Sequence, residues 1–233
     1  MTHPTGFSDQ RATAHQPSAQ YREFDIDVLI TGNEKKREEF CRILGREIQK
    51  RTLRQEVIEP QPDYKMMVRG EYLECSTSTV QEKARDAFNK NGSQPCFVED
   101  TALYIDALEG FPGTLVKYRC SSEQGLRGLC RDVHDPVMRS SLPTRAVAIV
   151  ALAAWNGIEE QPQCWLGIVE GTIAREPRGP MTFGFDCIFI PNGSNETLAE
   201  LCDRDPTEKD AFSPRRLAIE ELKKRPFLIR VSS

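Results

Sequence analysis

An α/β architecture, a mixed sheet flanked by helices, is what this sequence predicts, on three observations. The chain opens strand–turn–helix: the apolar run Phe24–Ile30, a turn at Thr31-Gly32-Asn33, then a helical pattern over Glu34–Gln49. Its middle holds two long apolar stretches, Arg145–Trp155 and Gln163–Ala174, joined by a turn at Asn156-Gly157. Its end carries short helical patterns. One mixed sheet with helices on its faces is the most economical way to bury these elements. The 233 residues suffice for one large domain or two small ones, and the polar stretch 120–143 is placed to separate two lobes with a cleft between them.

Each element has its own signal. Residues 1–23 are rich in Thr, Ser, Gln, Pro and Ala without apolar periodicity and read as a disordered leader, which leaves 24–233 as the folded domain. In the first helix Phe40, Cys41, Ile43, Leu44 and Ile48 fall near helical spacing, with Asn33 as N-cap. Arg51–Ile58 is a second strand candidate, interrupted beyond by Pro60 and Pro62. Ser76–Asn91 reads as a helix with Val80, Ala84, Ala87 and Phe88 on one face and a capping-box spacing at Ser78 and Gln81. Pro95–Glu99 reads as a short strand and Gly110–Gly113 as a turn. A short helix is expected around Leu126–Cys130, a strand over Met181–Ile190, and helices over Thr197–Cys202 and Pro214–Lys224.

Composition narrows the function classes. The formal charge of −4 gives no global attraction to nucleic acid, so direct nucleic-acid binding is not expected. The longest apolar run, Ala146–Trp155, is too short to cross a bilayer, and the N-terminus lacks the basic-then-apolar layout of a secretory signal. Eight cysteines contain no CxxC pair and several sit in apolar runs, as expected of buried thiols in a reducing, cytoplasmic setting. Only His3, His15 and His134 exist, and His134 lies in the turn-like DVHDP. A Ser-His-Asp or Cys-His catalytic site is therefore nearly excluded.

The chemistry concentrates in Val98–Tyr118, VEDTALYIDALEGFPGTLVKY. Glu99 and Asp100 follow the apolar Cys96-Phe97-Val98, where a strand end would deliver them to a cleft. Adjacent carboxylates near low-dielectric surroundings call for a compensating cation, and oxygen-only ligands favour magnesium. Lys117 would then meet a phosphate from the other side. A strand end with two solvated acids and a turn explains the same residues equally well.

Three further stations are each weak alone. Thr31–Lys36 (TGNEKK) sits where a strand feeds a helix whose free N–H groups favour phosphate, yet it lacks the second Gly and the Gly-Lys-Ser/Thr ending of a Walker A loop. Phe183–Cys187 (FGFDC) sets Gly184 between two rings, which suits either a stacked base or a buried strand. Glu208–Arg216 (EKDAFSPRR) gathers Lys209, Ser213, Arg215 and Arg216 at a helix start that Ser213 caps and Pro214 suits, either as phosphate or base donors or as an ordinary surface helix.

In this order, over about Asp25–Phe227, the stations resemble the inosine triphosphate pyrophosphatase family. The resemblance implies an elongated α/β fold with a nucleotide cleft between two lobes, usually dimeric, and magnesium-dependent hydrolysis of deaminated purine nucleoside triphosphates such as ITP, dITP and XTP to monophosphate and pyrophosphate. Manganese is a conceivable substitute. Carried over by residue, Thr31, Asn33 and Lys36 hold the triphosphate, and Lys83 reaches phosphate from its helix. Glu99 and Asp100 organise magnesium and the attacking water, with Asp100 as general base. Glu71 in GEYLE is a metal ligand, with Glu74 the alternative. Thr101 and Lys117 contact substrate, Phe183, Gly184, Phe185 and Asp186 frame the base, and Lys209, Ser213 and Arg215 close the site.

Two departures stand out against that resemblance. The family usually carries Ser-His-Arg where this chain has Ser213-Pro214-Arg215, and FGWDP or FGYDP where it has FGFDC. A base contact and a polar handle are lost while the phosphate and metal positions survive. Hydrolysis is expected to persist with base discrimination relaxed by about 1–3 kcal/mol. The alternatives are a pyrophosphatase for another modified nucleotide and a non-catalytic nucleotide-binding protein.

Overall fold

The computed structural model describes residues 21–53, 55–135 and 144–230. Its centre is a six-stranded mixed sheet of order β3-β2-β4-β5-β6-β7. The strands are β2 (Val28–Ile30), β3 (Gln49–Arg51), β4 (Cys96–Ile105), β5 (Arg145–Trp155), β6 (Gln163–Ile173) and β7 (Phe189–Pro191). β2 pairs in parallel with β3 and with β4, and β4 through β7 pair antiparallel. A separate ribbon joins β1 (Tyr21–Glu23) to β8 (Leu228–Arg230). The ordered body therefore begins inside the 1–23 stretch read as leader; residues 1–20 lie outside the described residues.

The helices are α1 (Glu34–Leu44), α2 (Tyr64–Val68), α3 (Tyr72–Lys90), α4 (Val116–Arg119), α5 (Glu123–His134), α6 (Leu198–Arg204), α7 (Pro206–Ala211) and α8 (Pro214–Lys224). α3 covers one face of the sheet through Val80, Ala84 and Ala87, against Ile30, Val98 and Ala151. α1 and α8 cover the other face at one end, where Phe40, Ala218 and Ile219 meet Leu29, Phe97 and Trp165. α5 and α6 cover that face at the far end through Leu126, Leu129 and Leu198, against Leu103, Ile105 and Ala148. These separate cores are the two lobes, and the cleft opens between them.

Several expected boundaries move. α1 stops at the left-handed cap Gly45, so Gln49 belongs to β3 and the expected helix over Glu34–Gln49 is shorter. β2 keeps only Val28–Ile30 of the run Phe24–Ile30, and β3 replaces the Arg51–Ile58 strand. α3 starts four residues before Ser76, which leaves Ser78 and Gln81 inside the helix rather than capping it. α2, α4 and α7 were not foreseen. His134 ends α5, with Nε2 2.8 Å from the Ile173 carbonyl, and is not a loop histidine. Met181–Ile190 is a run of turns that becomes β7 only at Phe189. The long hairpin β5–β6 and α8 fall where expected, since unbroken patterns of eleven residues leave little ambiguity.

The most consequential correction concerns β4. It runs ten residues, so Glu99 and Asp100 lie in mid-strand, opposite Leu152 and Ala151 of β5, and not at its end. Successive side chains of a strand point to opposite faces. Glu99 follows Phe97 onto the α1/α8 face, and Asp100 follows Val98 onto the α3 face. Pairing of β2 to β4 ends at Ile30 and Val98. Beyond that point β2 turns into α1 and leaves the edge of β4 open. The crevice thus lies past the carboxyl ends of the parallel strands, the place where open α/β sheets bind ligands.

One close approach fixes the closing helix. A Cβ on Gly167 of β6 would lie 1.7 Å from the Pro214 carbonyl oxygen and 2.6 Å from the Ala218 nitrogen. Only glycine lets α8 rest directly on the β6 backbone, which sets the position of Ser213 and Arg215.

Candidate active site

The cleft has a volume of about 810 Å³ and is lined by the β2–α1 turn, the segment after β3, mid-β4, β5, α3, α4, the 183–186 turns, α6, α7 and the start of α8. One part of the cleft gathers lysines around a helix N-terminus. The Asn33 side chain caps α1, accepting from the backbone N–H groups of Lys35 and Lys36, so the turn presents a helix N-terminus beside Lys36. Lys83 and Lys117 face it across the cleft, and both donate to Glu59, at 3.2 and 3.0 Å. Lys83 also donates to Asp100 at 3.2 Å.

Another part presents an aromatic ring and an open glycine. Phe183 carries Lys209 Nζ 4.5 Å and the Arg215 guanidinium 5.8 Å from its ring centre. Gly184 has φ +51°, and nothing lies within 4 Å of where its Cβ would be, so the backbone is open to a ligand there. Lys35 reaches across to donate to the Thr182 carbonyl at 2.7 Å, tying α1 to this turn.

Beneath both lies a buried ionic network. Arg215 pairs with Glu39 at 2.7 Å and with Glu99 at 2.9 Å; Glu99 also pairs with Lys36 at 3.1 Å. Lys209 pairs with Glu39 at 3.1 Å and with Asp186 at 2.7 Å, and the Ser213 hydroxyl donates to Glu39 at 2.7 Å. Burial alone would raise the carboxyls of Glu39 and Glu99, but Arg215 with the lysines outweighs it and holds each down at about 2. For Asp100 and Asp186 burial wins against Lys83 and Lys209, and both carboxyls sit above their ordinary range.

The depressed pair makes the fold acid-sensitive in a defined window. From an ordinary 4.5 down to about 2, the unfolded chain binds protons that the folded chain refuses. Their contribution is complete above the unfolded value and is lost as pH falls through the folded one. The unfolding temperature is expected to drop between pH 5 and 2, roughly, and to drop less steeply in Glu39→Gln, measured by thermal scans. An identical acid limb in Glu39→Gln would contradict the network's role.

The Ham1 family model matches residues 28–225, which spans the whole sheet, the cleft and α8. The chain belongs to the Ham1 family. It is 35% identical to a dITP/XTP pyrophosphatase of Korarchaeum cryptofilum over 206 residues, 88% of this chain and 97% of that protein. It is also 35% identical to an inosine triphosphate pyrophosphatase of Aspergillus fumigatus, over 84% of this chain and 91% of that one. Among solved structures, a HAM1 protein from Coxiella burnetii superposes with a TM-score of 0.64 at 27% identity, covering 84% of this chain and 95% of that one. A nucleoside-triphosphatase (dITP/XTP pyrophosphatase) from Mycobacterium abscessus gives 0.57 at 28%, over 84% of this chain and 97% of that one.

Within this Ham1 chain the cleft brings together Thr31, Asn33, Lys36, Lys83, Glu99, Asp100, Thr101, Lys117, Phe183, Gly184, Phe185, Asp186, Lys209 and Arg215. Ser213 stands behind that lining, fully buried, and acts on Glu39. Phe185 touches the cleft but packs mainly edge-to-face on Phe189 in the α5/α6 core, so the turn puts one ring, Phe183, at the base end. Glu71 does not reach the cleft. It precedes α3 and makes a two-pronged pair with Arg69 on the surface, and the alternative Glu74 is exposed on the first turn of α3. Glu59 occupies the cleft instead. It was missed because it lies in a proline-interrupted segment with no periodicity. Glu39 was missed as well, although its signal was present: it sits one position before the core Phe40 and three after Lys36, on the inward side of α1.

A hard divalent ion fits this donor set. Among the described residues no three Asp, Glu, His or Cys side chains gather at one point. Lys83 Nζ nevertheless lies 3.2 Å from both Glu59 and Asp100, which brings two carboxylates together, with Lys117 on the other oxygen of the part-exposed Glu59. Magnesium binds through one or two carboxylates and completes its shell with water and substrate phosphate oxygens. Glu99 is less suited, because its two oxygens are already engaged by Lys36, Thr101 and Arg215.

Proposed function

We propose that this chain hydrolyses deaminated purine nucleoside triphosphates, the inosine, deoxyinosine and xanthosine forms, to the monophosphate and pyrophosphate. The observation that carries the reading is that one cleft gathers lysines and a helix N-terminus, Phe183 with Arg215 and Lys209, and the carboxylate of Asp100 beside Lys83. In the orientation we propose, the base lies at Phe183 and the α-phosphorus near Asp100. That carboxylate is the general base that orients a water and accepts its proton, and its raised pKa is the direction such a base needs. Lys36, Lys83 and Lys117 stabilise the charge that moves onto departing pyrophosphate. No covalent intermediate is required, consistent with a cleft lining that contains no histidine among the described residues and whose Cys120 thiol burial pushes up to about 12.

Glu59 and Asp100 would hold magnesium, or manganese, which when bound screens phosphate charge and acidifies water. The base end offers Arg215 and Lys209 as donors, while Pro214 supplies no side-chain hydrogen bond and Phe185 faces the core. Base selectivity is therefore proposed to be looser than a fully furnished pocket would give. A cytoplasmic homodimer completes the reading; the eight free thiols support a reducing compartment, and no helix among the described residues is long and apolar enough to cross a membrane.

Pyrophosphate release from inosine, xanthosine, adenosine and guanosine triphosphates, with magnesium and with chelator, tests the proposal. Release that requires the metal and favours the deaminated bases is expected, with discrimination narrowed by about 1–3 kcal/mol. Bound nucleotide with no pyrophosphate released from any of the four would overturn the catalytic reading.

A further inference from the structure

We propose that Glu99 is a positioning residue that couples the phosphate end of the cleft to the base end. The inference rests on the nucleotide orientation proposed above. It arises from the strand alternation that separates Glu99 from Asp100. Asp100 faces α3 and the metal-binding candidates, whereas Glu99 faces α1 and α8. Its side chain is fully buried, and each oxygen has a different master. Oε1 accepts from Lys36 Nζ at 3.1 Å and from the Thr101 hydroxyl. Oε2 accepts from Arg215 Nε at 3.1 Å and Nη2 at 2.9 Å.

In the proposed orientation these two cations serve opposite ends of the nucleotide. Lys36 stands in the first turn of α1, beside the capped N-terminus suited to phosphate. Arg215 stands beside the Phe183 ring. A buried carboxylate stays charged only while cations compensate it. When phosphate draws Lys36 away, Glu99 depends on Arg215 and holds that guanidinium harder; when Arg215 engages a base, Glu99 depends more on Lys36. Arg215 is also held by Glu39, so its placement reflects a balance of two carboxylates, and Lys36 biases only one of them. The occupant of the phosphate end thereby alters how the base is read, without any contact between the two.

Equilibrium binding of inosine and adenosine triphosphates in chelator, where no turnover intervenes, gives the test. A residue that merely attracts phosphate weakens both nucleotides equally. Lys36→Met is expected instead to change the ratio of the two dissociation constants by about threefold or more, the range for residues sharing a partner. In a Glu99→Gln background the same Lys36→Met change is expected to leave the ratio alone. A ratio untouched by Lys36→Met, or one that shifts equally with Glu99→Gln present, overturns the coupling. The Lys36→Met arm decides by itself if Glu99→Gln does not fold, because Lys36 sits at the rim. Binding with no hydrolysis would fell the proposed activity and leave this inference standing; hydrolysis with an unchanged ratio would do the reverse.

Discussion

Asp100→Asn is expected to lower pyrophosphate release by about 10²–10⁴-fold while the protein still folds and still binds nucleotide. Asparagine keeps the size of the side chain and an oxygen toward Lys83, which donates to Asp100 at 3.2 Å. It cannot accept a proton from water, and it offers a hard cation a neutral oxygen in place of a charged one. The amide also removes a buried carboxyl whose pKa is raised by burial, so thermal stability should change little. Steady-state pyrophosphate release beside a binding isotherm separates the two effects. Activity within a few-fold of the parent would mean that another group takes the proton, and Glu59, which shares Lys83, would be next to examine.

Arg215→Met is expected to cost about 3–5 kcal/mol of folding stability, the usual consequence of removing one partner from a buried ion pair. Arg215 is buried and serves Glu39 at 2.7 Å and Glu99 at 2.9 Å. Without it each carboxylate keeps a single lysine, Lys209 for Glu39 and Lys36 for Glu99. For a chain of this size such a loss lowers the unfolding temperature by roughly 6–20 °C. Arg215→Lys should fall between, since it restores the charge but not the fork that reaches two acids. Thermal unfolding at neutral pH reads all three. A shift no larger than that of an exposed ion pair, about 0–1 kcal/mol, would show that the lysines suffice without Arg215.

The two variants probe opposite faces of one strand, and that geometry explains what could be read from residue order. α8 and the hairpin β5–β6 were legible because their signals are local: Ser213 caps, Pro214 starts, and eleven-residue apolar runs leave one register. The TGNEKK turn was legible because a strand, a short polar turn and a capped helix follow one another without a break. The length of β4 was not. Pairing with β5 carries it through two carboxylates that would end an isolated strand, and their charge is met by Lys36, Arg215 and Lys83 from three different helices. Glu71 is the ligand the sequence suggests, with Glu74 the alternative, yet Arg69 two residues away holds Glu71 at the surface. Met181–Ile190 looked like a strand, yet the chain turns there so that Phe183 and Gly184 face the cleft.

Local order thus determined the α/β class, the hairpin and the closing helix, because propensity, capping and periodicity act over a few neighbours. Tertiary structure alone decided that Glu99 and Asp100 part to opposite faces, that Glu59 and not Glu71 lines the cleft, and that Glu39 anchors Arg215 and Lys209. Those outcomes depend on charges brought together from Lys83 and Glu59, 24 residues apart, to Lys209 and Glu39, 170 residues apart. Burial makes such pairings strong, and only the folded sheet determines which groups are buried side by side.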